Sequence, residues 1–368
     1  MKIVIISRCI YPAIAPRPFR ATELAKYFAK QGHEVFLYAV IGECDYREFE
    51  KETGIKVRSL GKMHFATLNS DGYVRSSFSD RLLKRVFGRI AEFPDIELSW
   101  KTKNIIKGLS SVDLLVTIAV PYPIHWGAAW AKKKYPKSFP KVWISDCGDP
   151  YMGNSVKKTP PDYFQKIEDF WGEQTDYITI PLEEAKKAYS EKVQNKLRVI
   201  PQGFDFSNVR IDREFDGNAN PRFAYAGAIY PGYRDPTNFL KYLCGKTDLP
   251  FEFVVYTKNR PFFEKFKSIL GDKLTVKNYV PREQLLWDLS QMDFLVNINN
   301  NGSVQSPSKL IDYYLTTRPI IDITTDFNES DIVEEFLNGN YDHQHIKADI
   351  SQYDIRNVGQ QFFNLAEK

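Results

Sequence analysis

The sequence predicts an α/β protein of two parallel-sheet domains, and three observations carry that prediction. Short β-branched runs alternate with amphipathic stretches along most of the chain. The alternation stops at the Pro/Gly turn 201–206 and restarts after a polar stretch, 207–220. And 368 residues exceed what one hydrophobic core usually supports. The first domain is expected over residues 1–203 and the second over 204–345. Residues 346–368 are expected to form a terminal helix packed back toward the first domain.

In chain order, residues 2–6 read as a strand, 19–31 as an amphipathic helix and 33–39 as the next strand, an order that implies parallel pairing. Gly32 ends the helix and His33 opens the strand, which gives that histidine a structural place. Residues 63–109 interrupt the alternation. Within them, 81–91 sets Leu82, Leu83, Val86, Phe87 and Ile90 on one helical face among Arg81, Lys84, Arg85 and Arg89. Such a helix can lie on an anionic membrane, but its apolar face is no wider than core packing needs, and packing on the protein's own sheet is the favoured expectation. Further strands are expected at 114–119, 142–145, 177–180 and 197–200. Lys132, Lys133 and Lys134 end a helix, where cations suit the dipole. The second domain has strands at 223–226, 251–256, 274–279, 294–298 and 320–323.

Composition narrows the function. Fifty basic against 46 acidic residues leave a net charge of +4, too little to make nucleic acid the main partner. Cys9, Cys44, Cys147 and Cys244 are scattered, with neither the spacing of a zinc site nor a disulfide framework, so a reducing cytoplasm fits best. No apolar run approaches the ~20 residues of a membrane span. No D-x-D or His/Cys cluster asks for a metal, and no G-x-G-x-x-G follows a predicted strand, which disfavours a dinucleotide dehydrogenase.

The richest stretch is Ser306-Pro-Ser-Lys-Leu-Ile-Asp-Tyr-Tyr-Leu-Thr-Thr-Arg-Pro-Ile-Ile321, read as a turn, a helix and a buried strand. Its helix starts with Ser308 and Lys309 after a strand and a polar loop, where open α/β sheets take anionic ligands. Asp312, one turn on, can accept two ribose hydroxyls. Arg234, after an earlier strand, pairs with Lys309 as a phosphate clamp, a fork and a point charge. Gly227 permits close backbone approach. Tyr256 and Thr257 end a strand within reach of phosphate or ribose, and Asn301, Gly302 and Ser303 are placed toward sugar hydroxyls. In the first domain, Asp146 and Asp149 sit in the polar turn Ser145-Asp-Cys-Gly-Asp-Pro150, and His125 follows a strand. These three are the candidate general bases and catalytic groups. Arg20 and Glu23, three apart on a helix, are expected to pair with each other.

Across nearly its whole length the chain resembles the GT-B glycosyltransferases, in particular the retaining family 4 enzymes that build bacterial surface polysaccharides. The similarity rests on Tyr11-Pro-Ala-Ile-Ala-Pro-Arg-Pro-Phe-Arg-Ala-Thr-Glu-Leu-Ala25, Gln31-Gly-His-Glu-Val35, Trp143-Ile-Ser-Asp-Cys-Gly-Asp-Pro-Tyr151 and Val199-Ile-Pro-Gln-Gly-Phe-Asp205. In the second half it rests on Tyr225-Ala-Gly-Ala-Ile-Tyr-Pro-Gly-Tyr-Arg-Asp-Pro236 and the 306–321 run. The resemblance implies two Rossmann-like domains facing a cleft, a UDP- or GDP-type sugar donor, no further cofactor, and a saccharide or lipid-linked acceptor for capsule or lipopolysaccharide. It implies a cytoplasmic location, with peripheral contact at the inner face of the cytoplasmic membrane kept open. It places Tyr279 and Val280 at the base, and Arg17, in a loop the family fills with glycines, at the donor phosphates. One departure stands out: the family's last motif carries two glutamates, and this chain has Val304 or Gln305 for the first and Asp312 for the second. A nucleotide-sugar epimerase or hydrolase, or a non-catalytic nucleotide-sugar-binding member, is the alternative.

Overall fold

A computed structural model of the chain describes residues 1–13, 15–64, 67–68, 74–75, 87–88, 90–153, 160–207, 209–299 and 309–367. It divides into two units, Met1–Asp205 with Ser351–Lys368, and Phe206–Ile350.

In the first unit, strands β1 (Lys2–Ile6), β2 (Glu34–Ala39) and β3 (Lys56–Ser59) are followed by a two-residue antiparallel pair, β4 (Thr67–Leu68) with β5 (Val74–Arg75). Then come β6 (Leu114–Ala119), β7 (Val142–Cys147), β8 (Tyr177–Ile180) and β9 (Leu197–Val199). Apart from β4 and β5 these form one parallel sheet in the order β3-β2-β1-β6-β7-β8-β9. All six residues of β6 are buried, as its largely apolar run, interrupted only by Thr117, requires of a central parallel strand. Alternate residues of β1 feed opposite faces. Val4 and Ile6 join a core with Trp126, Trp143 and Trp171, and Ile3 and Ile5 join one with Leu24, Phe28 and Phe362.

The second unit holds β10 (Arg222–Ala226), β11 (Glu252–Tyr256), β12 (Leu274–Lys277), β13 (Phe294–Ile298) and β14 (Ile320–Ile323), all parallel, in the order β12-β11-β10-β13-β14. Phe223 faces Phe253 and Phe294 in register, and its ring stacks on both at 4.9 and 4.6 Å. That aromatic ladder fixes the pairing of the three middle strands.

The structure moves several predicted boundaries. The first long helix is Pro16–Lys30, beginning three residues before the expected start. Its prolines fall in the first turn, where a missing N–H would have had no partner, so the Pro-Arg-Pro segment is helix rather than loop. Strand β7 runs two residues past the predicted end and takes in Asp146, paired across the sheet with Ile118 and Thr179. Strand β12 ends at Lys277, which leaves Tyr279 in the following turn. Among the described residues no helix is long and apolar enough to cross a membrane. In the predicted basic helix, residues 81–86 and 89 lie outside the described residues, and Phe87 and Ile90 are exposed rather than packed.

Candidate functional site

At the carboxyl edge of the first sheet the centre is Asp146, 2% exposed. Arg20 reaches it with Nη2 at 2.9 Å and Nε at 3.3 Å, Arg17 with Nη1 at 3.4 Å, and the Thr179 hydroxyl donates at 2.7 Å. Burial would raise this carboxyl, but the Arg20 and Arg17 charges outweigh it and hold the group below the usual carboxylate range. Asp146 is therefore a buried anion with its oxygens occupied, and the structure makes it an anchor for two arginines rather than a proton acceptor in a turn. The expected Arg20–Glu23 pair is also corrected. Arg20 is buried against Asp146 and the Ile200 and Pro201 carbonyls, with its guanidinium over the Phe362 ring, and Glu23 pairs with Lys26 instead. Arg17 lies flat on Gly148: a Cβ there would fall 2.4 Å from the Arg17 guanidinium carbon.

His125 sits inside the helix Pro123–Lys134 with no exposed surface, its Nδ1 2.8 Å from the Thr117 hydroxyl and its ring 4.8 Å from Trp171. Burial drives its pKa down to about 3, which keeps the imidazole neutral. A ring so enclosed has no path to an acceptor hydroxyl, so His125 is a core histidine. Asp149 is the exposed carboxylate of the three candidates, and its backbone carbonyl accepts from the Tyr122 hydroxyl.

The second sheet presents different chemistry. Beyond β10, Gly227 donates its N–H to Tyr256, and a Cβ on it would lie 2.8 Å from the Tyr225 hydroxyl. The turn that follows closes on itself through the Tyr230 and Arg234 backbones, bringing the Arg234 guanidinium to 5.7 Å from the Tyr230 ring centre. Asp235 accepts from the Gly232 N–H and from Thr237 at the start of the helix Thr237–Cys244. Lys258, past β11, lies 5.3 Å from the ring centre of Tyr279, past β12. Tyr230 and Tyr279 are 53% and 47% exposed. Burial first and the neighbouring Tyr230 next raise the Tyr279 hydroxyl above its ordinary value, with the nearby Arg234 charge opposing. Two cations and two open aromatic rings thus collect at the carboxyl ends of β10, β11 and β12, a surface suited to phosphate oxygens and a planar base.

Other predicted positions fare differently. Tyr256 is buried and donates to Asp288 at 2.7 Å, and Thr257 is buried and accepts from the Asn259 N–H. Both are committed to the fold, so the expected phosphate or ribose contact from their side chains is corrected. Val280 is partly buried against the apolar face under β11. Asp312, on the helix Lys309–Thr316, is held by Arg282 at 2.7 and 2.8 Å. Burial raises its carboxyl above the ordinary value despite that arginine. Asn301, Gly302, Ser303 and Ser308 lie outside the described residues, as does the side chain of Lys309. Sequence reasoning missed Arg282, Tyr230 and Lys258. Tyr230 stands four residues past the end of β10 and Lys258 two past the end of β11, positions that no spacing rule marks as ligand-facing.

No protein-family model and no curated protein sequence matches the chain. Solved structures do. The whole chain aligns with 99% of the apo form of the lipopolysaccharide outer core galactosyltransferase WaaB, at 14% identity and a TM-score of 0.60. It also aligns over its full length with 93% of a glycosyltransferase from Rickettsia africae (12% identity, TM-score 0.59). The catalytic domain of starch synthase IV from Arabidopsis thaliana, bound to ADP and acarbose, aligns over 99% of its length (10% identity, TM-score 0.55). The fold is GT-B. At these identities the likeness establishes architecture, and the chemistry has to be argued from the residues.

Proposed function

We propose that this chain is a glycosyltransferase that moves a sugar from a nucleoside diphosphate to a saccharide or lipid-linked acceptor, with retention, in cell-surface polysaccharide assembly. The observation that carries the reading is the Tyr230–Arg234–Lys258–Tyr279 cluster at the carboxyl edge of β10 to β12. Its cations would neutralise the diphosphate leaving group as the glycosidic bond breaks, and its rings would pack on the base. Asp312, held by Arg282, is one carboxylate turn away from Lys309 for the ribose hydroxyls. Occupied Asp146 and enclosed His125 leave Asp149 as the exposed carboxylate among the candidate bases, and a retaining path needs none of the three, because the departing phosphate oxygen takes the acceptor proton. The bound ADP and acarbose of the starch synthase neighbour are in keeping with a nucleotide and a saccharide on this fold. No metal or cofactor is part of the proposal, and the base is of UDP or GDP type.

The test is a thermal-shift titration with UDP, GDP, ADP, CMP and NAD on the parent, Arg234→Ala and Lys309→Ala. A ligand at about 100 times its Kd adds roughly 2.7 kcal/mol to stability. One nucleoside diphosphate should stabilise the parent, and at the same concentration should stabilise each variant by roughly 1–2 kcal/mol less. Stabilisation by NAD alone, or by nothing, would remove the reading. A second reading, nucleotide-sugar binding without transfer, is favoured by Val304 and Gln305 where the resembled family has a glutamate. Release of nucleoside diphosphate from the matching nucleotide sugar when a glycan acceptor is added would exclude it.

A further inference from the structure

On the first unit, the helices Glu97–Lys107 and Pro123–Lys134 cross in close contact because position 127 is glycine. A Cβ there would lie 2.2 Å from the Ser99 carbonyl oxygen. The crossing sets Trp100 and Trp130 side by side on the outer surface, ring centres 6.2 Å apart and 48% and 39% exposed. Large indoles left open in a pair mark a surface that meets something apolar. Lys103 and Lys107 follow Trp100 at three and seven residues, and Lys133 and Lys134 follow Trp130 at three and four, so each tryptophan continues into a lysine stripe on its own helix face.

These lysines have no ion pair among the described residues. Lys107 and Lys134 flank the Tyr135 ring, and Lys133 lies over Phe170. The two helices together carry six lysines against one acid, Glu97, which is turned to His64 at 2.9 Å.

We propose that this face docks the protein on an anionic lipid bilayer, with Trp100 and Trp130 at headgroup depth and the four lysines on lipid phosphates. Charge complementarity and the paired indoles choose the occupant together. Indoles anchor at the boundary between headgroups and hydrocarbon, and lysines near an anionic leaflet each strengthen binding. An acidic polymer would use the lysines and leave the indoles idle, and a neutral bilayer would do the reverse. The proposal uses none of the residues 81–91 and does not depend on the nucleotide reading.

Co-sedimentation of the full chain with phosphatidylcholine vesicles, with and without phosphatidylglycerol, tests it, read alongside tryptophan emission. The parent should sediment only with the anionic vesicles, with blue-shifted emission, and should release as salt is raised. Lys133→Ser with Lys134→Ser should weaken binding by roughly fivefold per lysine, and the paired arginine changes should keep it. Trp100→Ser with Trp130→Ser should abolish the emission shift and weaken sedimentation while leaving the thermal unfolding profile in place. Equal sedimentation of parent and variants, sedimentation regardless of lipid charge, none with either vesicle, or full displacement by soluble heparin with the indoles unperturbed would each overturn the proposal.

Discussion

The carboxyl edge of the first sheet spends its charge inside the fold, where Arg20, Asp146 and Thr179 close over one another. The corresponding edge of the second sheet leaves Tyr230, Tyr279 and Lys258 open, with Arg234 half-buried beside them. Both edges are where a parallel α/β sheet takes ligands. Burial separates a charge that fastens the fold from one that can meet a ligand. Arg20 ties three parts of its unit to one carboxylate: the first helix, the end of β7 and the segment at Ile200 and Pro201. Arg234, by contrast, rests on an exposed ring in a turn built by its own backbone.

Removing one member of the buried pair should do the most damage. Arg20→Ala leaves the buried Asp146 charge with only Arg17 at 3.4 Å and the Thr179 hydroxyl, and should cost about 3 kcal/mol in urea unfolding. A loss below about 1 kcal/mol would mean the first edge is as open as the second.

Next is a pH effect in the same unit. Glu168, buried on the helix Tyr163–Gln174, has its pKa raised by burial to about 7, although it accepts from the Met152 and Tyr151 amides. The unfolded chain deprotonates near the ordinary value of 4.5, so the stability this group contributes is complete below that pH and is lost as pH climbs to about 7. The slope in that window is roughly 1.4 kcal/mol per pH unit. Glu168→Gln should flatten the pH profile of urea unfolding and make the protein about 3 kcal/mol more stable than the parent at pH 8. An unchanged profile would place that carboxyl in water.

The smallest stability effects should come from the open residues. Arg234→Ala, Lys258→Ala and Tyr279→Ala should each alter unfolding by no more than about 0.5 kcal/mol. Each should still weaken nucleotide binding by roughly 1–2 kcal/mol in calorimetry. Gly148→Ala bridges the two cases. Its Cβ would strike the tip of a flexible side chain, so stability should fall by less than about 1 kcal/mol while Arg17 is pushed from its seat. In any assay where Arg17→Ala lowers activity, Gly148→Ala should lower it equally.

Much of the architecture was legible because its signals are local. The apolar runs at β6 and β13 and the glycine after the first helix fix strands and a helix end without help from distant residues. Where a polar residue is satisfied from far along the chain, local reading fails. Asp146 looked like a turn aspartate because the three groups that bury it, Arg17, Arg20 and Thr179, are far away in sequence. Tyr256 looked like a strand-end ligand because Asp288, which takes its hydroxyl, belongs to another element. His125 was counted among the candidate bases after a strand because neither Thr117 nor Trp171 is marked as its neighbour by any spacing rule. The turn that carries Arg234 was readable because it is built from five consecutive residues.

Hydrogen–deuterium exchange with and without the nucleoside diphosphate that stabilises the chain compares the two edges in one experiment. The account predicts slower exchange in residues 227–235, 256–259 and 277–281, and little change at 144–147 and 177–180, where the buried ion pair already holds the backbone. Protection confined to the first unit, with 227–281 unaltered, would contradict the assignment of the ligand edge.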